Sequence, residues 1–342
     1  MTKAAKARPF EEPVIMTRTF DAPRTKRIEN GRLGMSRRAF LTTLACAGLS
    51  LAVPASALAQ TKPDASPRAS TGTAMAKTAP KAGYASVNGL KMYYEIHGTG
   101  RPLVVLHGAF MSIDLMGPVV PALAKTRQVI AVELQGHGRT ADIDRPLNYE
   151  QMADDTAALL RHFKVRNADI FGYSMGGAVA LQIAMRHPDL VRKLVVAAVS
   201  YTSGGIHPGV LEGIATITPE AFAGTPWEAD YAKKAPNPQD WPKLIEKVKQ
   251  LDANIQDWSA ESIRAIKAPT LIMIGDSDIV RPEHAVEMFR LRGGGVAGDV
   301  VGLPDARLAV LPGTTHVSLI QRTDWLRSMI AEFLDAPMRE AK

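Results

Sequence analysis

The sequence predicts an α/β fold with a mainly parallel central sheet that is flanked by helices. Short apolar runs with the composition of buried strands recur along the chain, and segments with helical periodicity lie between them. Strands that alternate with helices in this way are typical of a parallel sheet covered on both faces. The chain is 342 residues long and 46% hydrophobic, which is enough for a full core and additional segments.

The predicted elements begin with a hairpin and then alternate. Asn88-Gly89 separates two runs of alternating hydrophobicity, which is a strong hairpin signal. The predicted strands after it cover 102–108, 128–140, 168–174, 190–200, 268–276 and 306–313. The predicted helices cover 115–124, 149–163, 175–186, 282–290 and 319–334.

Two intervals interrupt this alternation. Residues 201–266 contain short helical candidates and three of the four tryptophans, and we predict that they form a small helical cap over one end of the sheet. Residues 290–305 include three consecutive glycines. For the second interval we favour a surface connection, and a mobile flap is the alternative.

The N-terminal part of the chain is predicted to lie outside the folded body. Residues 35–59 begin with Met-Ser-Arg-Arg, continue as an apolar stretch and end in Ala-Leu-Ala, the pattern of a bacterial twin-arginine signal peptide. Residues 1–34 are polar and unpatterned, and we interpret them as a disordered leader or as the product of a misassigned start codon. Residues 60–82 are rich in Ala, Pro, Ser and Thr and predict a flexible linker to a domain over 83–336. We therefore expect a periplasmic or secreted protein without a stable membrane anchor after signal cleavage.

Charge and composition exclude several function classes. The net charge of +7 is concentrated in residues 1–59, which hold ten Lys or Arg and four Asp or Glu, while the other residues hold 31 and 30. A nearly neutral body does not favour nucleic acid as a partner. The sequence contains no His or Cys pattern with metal-site spacing and no glycine pattern of a nucleotide site. We therefore expect no metal and no cofactor, and a small molecule as the partner; the oligomeric state stays open.

One pentapeptide carries the strongest functional signal. Gly-Tyr-Ser-Met-Gly at 172–176 matches G-x-S-x-G, with a predicted strand before it and a predicted helix after it. In this context a sharp strand-to-helix turn raises Ser174 above the sheet edge, and Gly172 and Gly176 avoid collisions with neighbouring elements. The new helix points its free amides towards the serine, so the N–H of Met175 is available to a negative oxygen.

A serine hydroxyl attacks poorly unless a base removes its proton. His316, in a predicted loop between the last strand and the last helix, is the candidate base. Asp278, just after the strand at 268–276, is the candidate acid that orients the histidine and stabilises its charged form. Asp276 is the rival acid, which we expect to cap the turn instead.

The remaining site predictions concern the oxyanion hole and the substrate pocket. The amide of Ala109 follows a predicted strand end and would bind a developing negative charge together with that of Met175. Phe110 is a possible substitute for Ala109 as the donor. Phe110, Met111 and Trp227 are predicted to bind substrate in a mostly apolar pocket that suits small to medium groups.

Taken together, these motifs resemble the α/β-hydrolase family, of the cap-bearing serine hydrolase type, over roughly Tyr84–Leu334. The resemblance rests on "LHGAF", "ELQGHGRT", "GYSMGG", "GDSDIVRP" and "PGTTH", all in order. It implies the α/β-hydrolase fold, with a mainly parallel central sheet and a small helical cap. The implied roles are Ser174 as nucleophile, Asp278 as acid, His316 as base, and Ala109 and Met175 as oxyanion donors. The chain departs from the family at Glu133 and Thr140, where Asp and Ser are frequent.

The resemblance narrows the function without choosing a substrate. Relatives that hydrolyse epoxides or haloalkanes use Asp at the position of Ser174, so we disfavour both activities. We expect an exported serine hydrolase that cleaves carboxylic esters through an acyl-enzyme. Lactonase, carbon–carbon bond hydrolase or cofactor-free perhydrolase activity on the same triad is the alternative within enzymes. A non-catalytic ligand-binding protein of this fold is the alternative from another class.

Overall fold

The computed structural model describes residues 79–255 and 257–338. The predicted leader and signal peptide lie outside these residues, as does the predicted linker up to residue 78. The first strand begins at Lys81, inside the segment predicted as linker. Lys81 is paired with Ile96 of the next strand, so strand pairing rather than composition sets this boundary.

The described residues contain eight strands, eleven α-helices and five short 3-10 helices. The strands are β1 (Lys81–Val87), β2 (Leu90–His97), β3 (Arg101–Leu106), β4 (Arg127–Val132), β5 (Ala168–Tyr173), β6 (Val191–Ala197), β7 (Thr270–Ser277) and β8 (Ala306–Thr315). The α-helices are α1 (Val119–Leu123), α2 (Tyr149–His162), α3 (Met175–Arg186), α4 (Val210–Ala215), α5 (Pro226–Lys234), α6 (Trp241–Ala253), α7 (Ala260–Ala265), α8 (Pro282–Leu291), α9 (Gly298–Val301), α10 (His316–Leu319) and α11 (Thr323–Asp335). The 3-10 helices are Asp114–Met116, Pro188–Leu190, Ser203–Gly205, Pro219–Phe222 and Pro238–Asp240.

The strands form one sheet in the order β1-β2-β4-β3-β5-β6-β7-β8. The β1–β2 and β2–β4 pairs are antiparallel, and all later neighbours in this order are parallel. The predicted α/β fold with a mainly parallel sheet is confirmed. The predicted hairpin is confirmed as well, because Asn88 (φ 47°) and Gly89 (φ 80°) form a two-residue turn with positive φ at both positions.

The sheet separates two hydrophobic cores. Val104 and Leu106 of β3 pack into one of them, whereas Leu103 and Val105 pack into the other, as the alternation of side chains along a strand requires. β5 and β6 are buried along their whole length, which explains their continuous apolar character. Because these strands are parallel, the loops that follow their carboxyl ends lie at one edge of the sheet.

Two elements differ from the predicted ones. β4 ends at Val132 although the apolar run predicted a strand over 128–140, because two glycines with positive φ turn the chain away from the sheet. The predicted helix over 115–124 is divided into a 3-10 turn and the short α1. Gly117, with φ 59°, and Pro118 separate these two pieces.

The interval between β6 and β7 holds the short helices α4 to α7 and forms the cap of the chain. In α6 the buried residues are Trp241, Leu244, Ile245, Val248 and Leu251, which repeat at the spacing of one helical face. The interval 290–305 contains only the four-residue α9 between α8 and β8, with exposed valines at 300 and 301. Over 79–255 and 257–338, no helix is both long enough and apolar enough to cross a bilayer.

Candidate active site

Ser174 lies in a strained turn between β5 and α3. Its backbone angles are φ 53° and ψ −120°, a region that side-chain-bearing residues rarely adopt and that costs of order 1–3 kcal/mol. A Cβ on Gly172 would lie 2.1 Å from the carbonyl oxygen of Gly176, and one on Gly176 would lie 2.4 Å from that of Leu106. The two glycines of the motif are therefore required by close backbone contacts, as the sequence predicted.

The three predicted triad side chains form one continuous hydrogen-bonded chain. Ser174 Oγ lies 2.9 Å from His316 Nε2, and His316 Nδ1 lies 2.7 Å from Asp278 Oδ1. The Asp278 side chain is fully buried, whereas the His316 side chain is 17% exposed. With its hydrogen on Nδ1 donated to the carboxylate, the imidazole presents Nε2 as an acceptor to the serine hydroxyl. This arrangement can withdraw a proton from Ser174.

His316 is held in place by its own helix and by a tyrosine. It is the first residue of α10, not a loop residue, and Thr315 caps this helix through a reciprocal pair of hydrogen bonds with Ser318. The hydroxyl of Tyr173 donates to the backbone carbonyl of His316 at 2.8 Å, and the two rings are 5.6 Å apart. Tyr173 occupies a variable position of G-x-S-x-G, so the motif contained no signal for this role.

Asp278 and Asp276 have different surroundings. Asp278 accepts a hydrogen bond from the amide of Val280 at 3.2 Å in addition to the bond from His316. Asp276 is exposed and accepts from the amides of Gly313 and Thr314 at 2.9 and 3.1 Å, and these backbone hydrogen bonds lower its pKa. Asp276 therefore caps a turn, and only Asp278 contacts the histidine.

The two amides predicted for the oxyanion hole belong to Met175, which directly follows Ser174, and to Ala109, which lies in the loop after β3. Met175 N begins α3, where the positive end of the helix dipole lies. Within the described part of the chain, neither this amide nor that of Ala109 donates to a protein acceptor. The neighbouring Phe110 has φ 63°, so the loop that carries Ala109 is also held in an unusual backbone conformation.

The three residues predicted to bind substrate have different positions. Phe110 is half-buried and packs under the cap, with its ring 4.8 Å from that of Phe222. Trp227 of α5 is also half-buried and packs edge-on against the same Phe222 ring, with the two ring centroids 6.4 Å apart. Met111 is only 7% exposed and packs into the core on the other face of the sheet, beside Tyr173. Phe110 and Trp227 therefore both contact Phe222 of the cap, and Trp227 also packs against the hydrophobic cluster that contains Met111.

A buried polar cluster that the sequence did not predict supports the loop with Ala109. Glu133 accepts from the amide of Ile113 at 3.2 Å and from the guanidinium and the amide of Arg139. Burial raises the pKa of Glu133 to about 7, and the hydrogen bonds from Arg139 and Ile113 act in the opposite direction. Glu133 is one of the positions where this chain departs from the family pattern, which frequently has Asp. The longer Glu side chain joins the loop after β3 to the loop after β4.

The cap is joined to this loop by one lysine. Lys234, the last residue of α5, contacts the carboxylate of Asp114 at 2.5 Å and the hydroxyl of Ser112 at 3.3 Å. It also pairs with Asp230 one turn earlier in the same helix. Because Ser112 and Asp114 follow directly on the loop of Ala109, this ion pair fixes the cap relative to the loop.

Two neutral histidines lie beneath the same loop. His107 Nδ1 lies 2.7 Å from the carbonyl of Gly108, and its Nε2 accepts from the amide of Leu134 at 3.1 Å. The ring of His137 is 5.2 Å away, and its Nδ1 lies 2.9 Å from the carbonyl of Gln135. Both side chains hold loop backbone in place and do not face Ser174.

These two histidines should make the protein sensitive to acid. Burial lowers the pKa of His107 to about 4 and that of His137 to about 3, whereas an unfolded histidine titrates near 6.5. From pH 6.5 down to about 4 the unfolded chain therefore binds protons that the native protein does not, and the free energy of unfolding falls as the pH falls. Each histidine contributes up to about 1.4 kcal/mol per pH unit in this window.

Urea unfolding at several pH values between 7 and 4.5 measures this slope. His137→Asn should reduce this slope by up to about 1.4 kcal/mol per pH unit, the equivalent of one proton, because the substituted side chain no longer titrates. His162→Gln, at an exposed histidine, is the matched control and should leave the slope unchanged. Equal slopes in all three proteins would show that His137 does not titrate between the native and unfolded states as argued.

Over 79–255 and 257–338, no group of three His, Cys, Asp or Glu side chains is arranged to hold a metal ion. The site consists of the hydrogen-bonded Ser174, His316 and Asp278, two free backbone amides and an apolar cap. This set of groups is suited to transfer of an acyl group through a serine.

Comparison with known proteins agrees with the fold. The model of the alpha/beta hydrolase family matches residues 103–328. The chain is 27% identical over 278 residues to a pimeloyl acyl-carrier-protein methyl ester esterase of Neisseria meningitidis serogroup B, covering 73% of this chain and 95% of that protein.

Two solved structures resemble this chain over most of their length. An enol-lactonase from Burkholderia xenovorans LB400 has a TM-score of 0.55 at 23% identity, over 74% of this chain and all of that one. A meta-cleavage product hydrolase from Pseudomonas fluorescens IP01 has a TM-score of 0.58 at 20% identity, over 75% of this chain and 97% of that one. At these identities the likeness shows a shared fold.

Proposed function

Because the chain belongs to the alpha/beta hydrolase family, we propose that it is a serine hydrolase that cleaves carboxylic esters through an acyl-enzyme. The observation that carries this proposal is the unbroken chain from Ser174 through His316 to Asp278, with donor–acceptor distances of 2.9 and 2.7 Å. Both distances are within the range of direct hydrogen bonds, so a proton can move along the first of them without rearrangement of the site.

The reaction would proceed in two halves. His316 Nε2 takes the proton of Ser174 as Oγ attacks the ester carbonyl, and Asp278 stabilises the imidazolium that forms. The imidazolium then returns the proton to the departing alcohol, which leaves an acyl group on Ser174. In the second half water attacks the acyl-enzyme with the same histidine as base, and the acid is released.

The negative oxygen of each tetrahedral intermediate would be bound by the amides of Met175 and Ala109. Neither amide is engaged by a protein acceptor within the described residues, so both are available to substrate. One such donor is typically worth about 3–4 kcal/mol of transition-state stabilisation. The contacts of Lys234 and Glu133 support the loop that presents Ala109 and offset the cost of the positive φ of Phe110.

The cap favours substrates with small to medium apolar groups. Phe110, Phe222, Trp227 and Trp241 form a continuous aromatic cluster under the cap, with neighbouring ring centroids 4.8–6.4 Å apart. Burial of an apolar acyl or alkyl group against such rings is favourable by roughly 25 cal/mol per Å². The ester activity of the relative from Neisseria agrees with an ester as the substrate class.

Lactone or carbon–carbon bond hydrolysis is the second candidate. The same triad and amides can open a cyclic ester or cleave a ketone, and the structural relatives include an enol-lactonase and a meta-cleavage product hydrolase. We further propose export, for which the support is the Arg37-Arg38 pair ahead of an apolar run that ends in Ala-Leu-Ala.

Labelling with a fluorophosphonate tests the proposal. The probe should form one covalent adduct, located at Ser174 by mass spectrometry, because only an activated serine attacks phosphorus. Heat-denatured protein is the control and should stay unlabelled. Preincubation with p-nitrophenyl butyrate should release p-nitrophenol and slow the labelling. A folded protein that resists the probe and does not cleave the ester would instead be a ligand-binding member of the family.

A further inference from the structure

The turn that presents the Ala109 amide needs support from neighbouring residues. Phe110, the next residue, has φ 63°, and the amide of Met111 reaches the carbonyl of Gly108 at the long distance of 3.4 Å. A positive φ at a residue with a side chain costs of order 1–3 kcal/mol and persists only where the surrounding contacts fix the backbone. One long hydrogen bond within the turn does not supply that fixation.

Two consecutive residues just after this turn are bonded to one ion cluster. Ile113 donates its amide to Glu133 Oε1 at 3.2 Å, and the carboxylate of Asp114 accepts from Arg139 Nη2 at 2.7 Å. Arg139 Nη1 lies 2.6 Å from the same Glu133 oxygen, and the Arg139 amide also donates to Glu133. Since Ile113 and Asp114 are adjacent, these contacts close a ring in which the guanidinium joins both attachments of the loop.

The guanidinium of Arg139 is itself fixed from the side of the sheet. It lies over the ring of Tyr93 in β2, with its central carbon 4.7 Å from the ring centroid, and Nη1 is 3.9 Å from the carboxylate of Glu95. The hydroxyl of Tyr93 donates to that same carboxylate at 2.9 Å. The Glu133 side chain is fully buried and the Arg139 side chain is largely so. A planar guanidinium held in this way can bind two carboxylates at once in a fixed geometry.

We propose that Arg139 is a positioning residue for the oxyanion hole, which holds the Ala109 amide in place through Glu133 and Asp114. This inference rests on the proposed ester hydrolysis. Because Asp114 follows Ala109 by only a few positions, a shift of the anchored backbone is transmitted through the strained turn to the amide. A displaced amide stabilises the negative oxygen of the transition state less, while the neutral ester still binds.

Two substitutions test the two ends of this contact. Arg139→Lys keeps a positive charge beside the buried Glu133, but an ammonium cannot bridge two carboxylates as the guanidinium does. Asp114→Asn removes the charge of a half-exposed side chain and keeps its shape. Loss of one oxyanion donor costs about 10²–10³ in kcat, so displacement of the amide should cost about 10- to 100-fold for p-nitrophenyl butyrate in each variant. KM should stay within about threefold of wild type, because substrate binding is retained.

Asp154→Asn is the matched control. Asp154 also forms an ion pair with an arginine at 2.7 Å, but the partner is Arg186, and the pair joins the surfaces of α2 and α3. Its loss should change kcat by less than about twofold. Thermal unfolding midpoints above the assay temperature would show that all three variants are folded during the measurement, and Asp114→Asn alone is sufficient for the test if Arg139→Lys is not.

A tetrahedral inhibitor separates positioning from a general loss of stability. When butyl trifluoromethyl ketone binds, Ser174 Oγ adds to its carbonyl carbon, His316 takes the hydroxyl proton, and the adduct carries a negative oxygen. The inhibition constant should therefore rise by about the same factor as kcat/KM falls. The double variant Arg139→Lys/Asp114→Asn should lose less than about threefold beyond Arg139→Lys alone, since both substitutions break one contact.

Three results would overturn the inference in an active enzyme. These are a kcat within threefold of wild type in both single variants, a lowered kcat with unchanged inhibition by the ketone, and losses that multiply in the double variant. A wild-type protein that neither cleaves the ester nor forms a fluorophosphonate adduct at Ser174 would instead overturn the proposed function, and this inference with it.

Discussion

Asp278→Asn should lower kcat for p-nitrophenyl butyrate by about 10³–10⁴-fold and leave the protein folded. The asparagine amide can donate to His316 Nδ1, which places the ring hydrogen on Nε2 and removes the acceptor for the serine proton. The substitution also removes the negative charge that stabilises the imidazolium. Because the side chain is fully buried and 2.7 Å from the ring, water cannot replace the missing carboxylate.

Asp276→Asn is the matched control for this prediction. Asp276 lies two positions earlier, is exposed and contacts only loop amides and the neighbouring Ser277. Its substitution should change kcat by less than about threefold, since it weakens a turn and leaves the triad in place. A larger loss from Asp276→Asn than from Asp278→Asn would transfer the acid role to Asp276. Steady-state kinetics on both purified variants decides between them.

Gly176→Ala should destabilise the protein by at least about 3 kcal/mol and abolish labelling of Ser174. The new methyl group would lie 2.4 Å from the carbonyl oxygen of Leu106 and 2.6 Å from that of His107. Both are backbone atoms at the end of β3, so no side-chain rotation can relieve the clash. Either β3 or α3 must move, and the serine and the loop of Ala109 are then separated.

Gly204→Ala provides the comparison. A Cβ at that glycine would have Thr202 Oγ1 as its nearest neighbour at 3.8 Å, and the backbone there has no positive φ. We expect a change in the free energy of unfolding within about 0.5 kcal/mol, as for other unobstructed surface substitutions. Urea denaturation measures both variants, and equal stability of the two would refute the packing argument for the turn at Ser174.

Short sequence patterns predicted those features of the fold that depend on the backbone conformation of a few adjacent residues. The hairpin at Asn88-Gly89 and the turn at Ser174 follow from φ preferences and from the absence of a Cβ, and both can be read from a few adjacent residues. The position of the candidate acid was also predictable, because the strand ending at Ser277 leaves Asp278 at the sheet edge. These features need no knowledge of distant parts of the chain.

The supporting contacts could not be predicted in the same way. Lys234 meets Ser112 across 122 positions, and Tyr173 meets His316 across 143. No periodicity or spacing relates such pairs, since they are set by how the cap and the last helices pack on the sheet. The end of β4 was placed too late, although only Leu134 is apolar among residues 133–140. These residues form a mostly buried loop that turns at Gly136 and Gly138.

The order of the strands determines when, during synthesis, Ser174 and His316 can come together. Ser174 and His316 are 142 positions apart, and the imidazole follows β8, which is the outermost strand on its side of the sheet. A ribosome-bound chain that has folded only as far as β6 therefore carries the Ser174 hydroxyl with no histidine beside it. Under the proposed function, reactivity would arise only when the final strand docks, so nascent or C-terminally degraded chains would not react with an ester.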